Sequence, residues 1–348
     1  GGVSTYLEDQ LAKRNEVFEP RELWSSSLLR SEQGRQDICQ CHRAFCRAGI
    51  NILSTVTYQC HYGTYQDNGQ RSRVVESDEE MDQMFASGLR LAQAEGQGLN
   101  NSNSNNKLVA LSLGCYGAAL ADGSEYRGQY GIPLEWLQQF HSRKIQQVIT
   151  TLVDASPPDI LAFETVPCVE ECRAILHVLQ QAKRCCGTLP PCWISFACRN
   201  GHELNDGTPI EDALDVIQEL DPDVDFVHAV GINCCSVDHV SSLLKRLVQH
   251  SFLKPSSMGH RRGLVCYPNS GEEWDAIKST WKAGSGSTVP EDFAGEVMNA
   301  LDTMEVAWNK LYPDSSSVPR IVLGGCCRTS PQTIAALRQA IDKKWMER

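Results

Sequence analysis

Two adjacent thiols, Cys326 and Cys327, lie in the run Gly324-Gly325-Cys326-Cys327-Arg328. The apolar segment Ile321-Val322-Leu323 precedes them, and Thr329-Ser330-Pro331 reads as the entry to a helix. Paired thiols at a strand end are poor core packing, but they suit a soft metal ion. A third ligand is expected at Cys234, which ends another apolar run in Gly231-Ile232-Asn233-Cys234. Three thiolates fit Zn2+, which accepts sulfur in tetrahedral geometry, and three protein ligands leave one position open for a substrate. The spacing is not that of a zinc finger, because no two cysteines are separated by two residues. Further doublets at Cys185-Cys186 and Cys234-Cys235 show that adjacency alone leaves a non-metal reading open. Cys185-Cys186 ends a helical pattern and reads as structural. In the other doublet Cys234 is the choice because it directly continues the strand.

Something must bring residue 234 to residues 326 and 327. Apolar, β-branched runs predict strands over 49–58, 107–114, 159–165, 192–198, 226–233, 263–267 and 320–323. Helical patterns alternate with them, over 34–48, 133–153, 169–183, 237–249, 291–311 and 331–343. Two more helices open at Ser77-Asp78-Glu79-Glu80, a capping box, and at Thr208-Pro209-Ile210-Glu211, an N-cap followed by proline. The chain opens on Gly1-Gly2 before a helix-like stretch, and an eighth strand is expected ahead of it, as though the first strand were truncated. Eight βα units predict an α/β protein with a (β/α)8 TIM barrel; a doubly wound sheet is the alternative. One domain over 1–348 is expected, with a flexible Asn/Ser-rich insertion at about 97–106. In a barrel the site lies at the C-terminal mouth. Glu164, Asn233-Cys234, Tyr267-Pro268-Asn269, Cys326-Cys327 and the group Thr55, Thr57 and Tyr58 all fall at strand ends there.

Bulk composition narrows the function. The formal net charge of −11 argues against nucleic acid as a partner, since binding to phosphates rests on displaced counterions. No run of about 18 apolar residues predicts a membrane span, and no signal-peptide pattern opens the chain. Sixteen cysteines in a long chain without such a signal are expected to stay reduced, which points to a cytoplasmic protein.

With these motifs assembled, the chain resembles the homocysteine S-methyltransferases. The matching stretches are Gly1-Gly2 with Thr5 and Leu7-Glu8, 54–59, 116–128 with its Ala-Asp-Gly-Ser-Glu-Tyr-Arg-Gly core, and Phe163-Glu164-Thr165-Val166-Pro167. Asn205-Asp206-Gly207-Thr208-Pro209, 231–234, Tyr267-Pro268-Asn269-Ser270-Gly271 and 324–331 follow in the same order. The 116–128 loop is most similar to the branch that uses S-methylmethionine or S-adenosylmethionine. The resemblance implies a barrel with Zn2+ on Cys234, Cys326 and Cys327. It also implies that Glu164 and an aspartate just before the Gly-Gly pair hold the amino group of L-homocysteine; that aspartate is not in this sequence. Substrate contacts are expected from Glu164, Asn233, Thr55, Thr57 and Gly2.

The expected chemistry is methyl transfer from a sulfonium donor to a metal-bound thiolate, giving methionine. The leaving group is a neutral thioether, so no acid–base pair is needed, and His202 and His228 read as structural. A sulfonium would be drawn to aromatic faces and carboxylates such as Tyr58, Tyr116, Glu125 and Tyr126. Alternatives are betaine- or selenocysteine-dependent chemistry on the same site, or a non-catalytic zinc-binding thiol protein.

Overall fold

A computed structural model describes residues 2–65, 71–72, 74–97, 106–154, 156–272, 274–275, 280–281, 285–313, 315 and 318–346. Seven strands form one sheet: β1 (Ile52–Ser54), β2 (Leu108–Gly114), β3 (Ile160–Val166), β4 (Cys192–Phe196), β5 (Val227–Ser236), β6 (Gly263–Asn269) and β7 (Ile321–Leu323). Their order in the sheet is their order in the chain, and every pairing is parallel. A doubly wound sheet would reverse its order at a switch point. The sequential order is that of a (β/α)8 barrel, read here over seven strands. The predicted insertion at 97–106 lies almost wholly outside the described residues.

The strands are near-continuous apolar runs because both faces are covered. Leu111, Leu161, Phe163, Ile194 and Ile232 pack on one face against helices such as Val169–Cys186 and Val240–Gln249. Ala110, Ala162, Trp193 and Val265 form a separate small cluster on the other face. Alternation along each strand separates the two sets. No helix among the described residues is long and apolar enough to cross a membrane.

Two local expectations change. The strand predicted over 49–58 is paired only at Ile52–Ser54. Beyond it, side chains take over the ladder: Ser112 N donates to Thr55 Oγ1 at 3.0 Å, and Thr57 Oγ1 donates to Ser112 O at 2.7 Å. Hydroxyls offering the backbone an alternative partner end regular pairing. The helix Ile210–Leu220 has Pro209, not Thr208, at its N-cap. Thr208 is spent on the preceding turn, where its hydroxyl reaches Asp206 Oδ1 at 2.7 Å. The cap at Ser77 forms as expected, with Glu80 N donating to Ser77 Oγ at 3.2 Å.

Candidate active site

The C-terminal ends of β5 and β7 bring three thiols together. Cys234 Sγ lies 3.0 Å from Cys326 Sγ and 3.7 Å from Cys327 Sγ. Cys235, the other half of the doublet, is buried in the apolar core, and Cys185 and Cys186 are exposed on a helix end. The cluster is too open for a disulfide, whose S–S bond is about 2.0 Å. Tetrahedral Zn–S bonds of about 2.3 Å set sulfurs about 3.8 Å apart, so small adjustments would seat such an ion. Hydrogen bonds from Cys234 and Cys327 hold the Cys326 thiol well below the ordinary thiol range. Three clustered cysteine sulfurs are a donor set suited to a soft cation.

The loop carrying Cys326 and Cys327 is held from three sides. Cys327 N donates to Asn269 Oδ1 at 3.0 Å, and Cys326 N to Pro268 O at 2.7 Å, both at the end of β6. Thr329 Oγ1 donates to Cys326 O at 2.6 Å. Gly2 N in turn donates to the Thr329 hydroxyl and carbonyl, each at 2.9 Å. A Cβ at Gly2 would come within 2.5 Å of Cys326 O, and one at Gly325 within 2.6–2.8 Å of the Thr329 side chain. Those two positions are therefore glycine for reasons of close approach.

Glu164 and Cys234 are aimed by a shared device. Register shifts fall between Phe163 and Val166 on β3 and between Asn233 and Ser236 on β5. Within the shifts, Thr165 and Cys234 adopt left-handed backbone, with φ of 63° and 52°. Such conformations are costly for non-glycine residues, and they persist where the surroundings enforce them. Asn233 does so here: its Oδ1 accepts from Thr165 N, and its Nδ2 donates to Thr165 Oγ1, both at 2.8 Å. Bulges re-aim side chains, and these two point Glu164 and Cys234 at one cavity. Arg328, next to Cys327, is also left-handed, with φ of 63°.

A cavity of about 650 Å³ contains the thiols, and Glu164, Asn233, Thr55 and Gly2 all border it. Glu164 is buried and accepts a hydrogen bond from Ser112 Oγ. Burial, and secondarily the neighbouring Cys326, push its carboxyl up to about 7. Tyr267 shares that wall; its hydroxyl contacts Ser195 Oγ and accepts from Trp193 Nε1 at 3.1 Å. Thr57 is the exception among the expected contacts. It is fully buried, does not border the cavity, and spends its hydroxyl on Thr55 and Ser112. It supports Thr55 from behind, because the chain has already left the strand at that point.

Glu125 and Tyr126, on the loop after β2, and Tyr58, just beyond β1, also border the cavity. Tyr126 is half exposed, and nearby Cys234 and burial raise its phenol above the ordinary range. Tyr116 turns away, packing edge-on against Tyr130 and Phe140 at 5.2 and 5.3 Å. Its backbone N–H is held by Glu171, which fixes the start of this loop in a buried network with Tyr130 and His141. The sequence does not single out Ser112, whereas it places Asn269 at the rim and Thr329 within a matching motif, neither with a role of its own.

Parallel strands in barrel order, with a buried carboxylate and three thiols that could hold a metal ion at their C-terminal mouth, define an α/β barrel-type protein with a candidate metal site. A sequence profile described as homocysteine S-methyltransferase matches residues 1–341. The chain is 30% identical to homocysteine S-methyltransferase 1 of Arabidopsis thaliana, over 99% of this chain and 93% of that protein. It is 32% identical to selenocysteine methyltransferase of Astragalus bisulcatus, over 98% and 91% of the two chains. The metallated form of the homocysteine methyltransferase MmuM from Escherichia coli superposes with a TM-score of 0.67 at 28% identity, over 95% of this chain and 93% of that one. The chain belongs to the homocysteine S-methyltransferase family.

Proposed function

We propose that this protein transfers a methyl group from S-methylmethionine or S-adenosylmethionine to the sulfur of L-homocysteine, giving methionine, with Zn2+ held by Cys234, Cys326 and Cys327. The observation that carries this reading is the trio of thiols within 4.8 Å of one another, on the same cavity as Glu164. The ion would supply Lewis acidity that lets a substrate thiol, with an ordinary pKa of roughly 8.5, bind as thiolate at neutral pH.

The chain's own residues do the rest. Glu164 offers a carboxylate to the homocysteine ammonium, and Thr55 and Gly2 shape the wall beside it. Asn233 keeps Glu164 and Cys234 in register through Thr165. Tyr58 and Tyr126 present aromatic surface to the sulfonium, which is attracted to ring faces. A new C–S bond forms to the homocysteine sulfur as the donor's methyl–sulfur bond breaks. The bonding pair stays on the donor sulfur, which leaves as a neutral thioether and takes no proton. Three neighbouring thiols must remain reduced to bind metal, which suits the cytoplasm.

The test pairs zinc determination with methyl transfer from each donor to homocysteine, and with selenocysteine as a competing acceptor. Cys326→Ala should lose zinc and methyl transfer together. Methyl transfer by zinc-free Cys326→Ala protein would overturn the reading, and zinc binding by wild type without transfer would favour a storage role.

A further inference from the structure

Both substrates of the proposed reaction carry an ammonium group, and Glu164 can serve only one of them. Glu125, on a different element from Glu164, also borders this cavity. It lies in the short turn Ser124–Tyr126, and Tyr58 and Tyr126 border the same cavity. Its Oε2 is sealed from water and has no hydrogen-bond partner among the described residues. Burial is the main reason its carboxyl sits above the ordinary range. A buried carboxylate oxygen without a donor is costly, and such a group calls for a specific partner.

The turn is built to hold Glu125 there. Asn205 Nδ2 donates to Glu125 O at 2.8 Å. A Cβ at Gly117 would come within 2.4 Å of Glu125 N, so the two backbones are in close contact. The nearest cation in sequence, Arg127, is engaged elsewhere: its guanidinium meets Asp122 Oδ2 at 3.3 Å and Ser124 Oγ at 2.9 Å. The loop's own cation thus makes its hydrogen bonds to Asp122 and Ser124 rather than to the Glu125 carboxylate.

Resting on the proposed function, we propose that Glu125 holds the α-ammonium group of an amino-acid-type methyl donor and so selects donors that carry one. Charge bookkeeping favours the ammonium over the sulfonium as its partner. The sulfonium is neutralised as the methyl group leaves, so a carboxylate paired with it would hold the ground state more tightly than the transition state and slow the reaction. The ammonium keeps its charge throughout, and a carboxylate paired with it binds both states equally. The aromatic faces of Tyr58 and Tyr126 are left for the sulfonium.

The test compares wild type with Glu125→Gln at saturating homocysteine, using S-methylmethionine and dimethylsulfoniopropionate, a sulfonium donor without an ammonium group. Glu125→Gln should raise KM for S-methylmethionine by on the order of 10- to 100-fold, the worth of a charge-assisted hydrogen bond. It should leave kcat, the homocysteine KM and zinc content unchanged. The two proteins should use dimethylsulfoniopropionate equally poorly. An unchanged KM for S-methylmethionine, or an equal loss with both donors, overturns the assignment while leaving the proposed activity intact. A rise in kcat with the rise in KM would instead place Glu125 on the sulfonium. A wild-type protein that moves no methyl group to homocysteine defeats both readings, and is told apart by the wild-type rates alone.

Discussion

Replacing Asn233 with alanine should weaken the metal site without removing any ligand. The side chain makes two hydrogen bonds to Thr165, each 2.8 Å long. Its loss leaves a buried backbone N–H unpaired, at about 1–3 kcal/mol, and removes a second hydrogen bond worth about 1 kcal/mol. The expected destabilisation is therefore about 2–4 kcal/mol. The larger effect is local. Thr165 and Cys234 hold left-handed backbone, each at a cost of order 1–3 kcal/mol that the clamp sustains. Without it, both bulges relax and Cys234 drifts from Cys326 and Cys327. Outer contacts of this kind typically change metal affinity by about 10- to 100-fold. Competition for zinc against a chromophoric chelator measures the affinity, and urea titration measures the stability. Thr165→Val, alone and combined with Asn233→Ala, should show strong coupling, since the two residues form one unit. Wild-type zinc affinity and stability in Asn233→Ala, with a raised homocysteine KM, would refute the clamp and make the Asn233 amide a substrate contact.

Three further outcomes follow from the site and the core. Glu164→Gln should raise the homocysteine KM about 10- to 100-fold, the value of a charged hydrogen bond, with zinc content unchanged by elemental analysis. Gly325→Ala should destabilise the thiol loop by about 1–3 kcal/mol through the clash with Thr329, seen as a lower denaturation midpoint and weaker zinc retention. His42 is fully buried, neither ring nitrogen has a partner among the described residues, and burial lowers its pKa to about 4. Unfolded histidine titrates near ~6.5, so the unfolded chain binds the extra proton between those values. Stability from neutral His42 is present above pH ~6.5 and is lost as pH falls toward 4, by about 3 kcal/mol in all. His42→Leu should flatten that part of the stability–pH profile in urea titrations; an unchanged slope would contradict the burial argument.

The barrel was legible in the sequence because each strand is an apolar run bounded by polar loop residues, and each helix has its own period. Cys326, Cys327, Cys234 and Glu164 were legible because polar, reactive side chains directly end such runs. What the sequence hid depends on contacts across long separations. The Asn233–Thr165 clamp joins residues 68 positions apart. Nothing in the letters Thr and Cys announces left-handed backbone, since neither residue favours it. Thr57 illustrates the same point in reverse: beside Thr55 it reads as a rim residue, yet the hydroxyl pair folds inward to replace the ladder. Tyr116 was chosen for its ring, but Glu171 fixes its backbone and a core of Tyr130 and Phe140 claims the side chain.

The thiols that converge on one point lie 92 and 93 residues apart in the chain. An ion gripping all three would thus be a cross-link as well as a reagent. In the chain-entropy picture, a bridge closing a loop of about 100 residues removes about 4.7 kcal/mol of freedom from the unfolded ensemble. The segment so fastened includes β7, which pairs through three residues with β6 alone in the described sheet. The same occupancy that prepares a substrate thiol would therefore knot the last strand and helix to the middle of the barrel. Chelation should loosen that end first, and proteases should find it there.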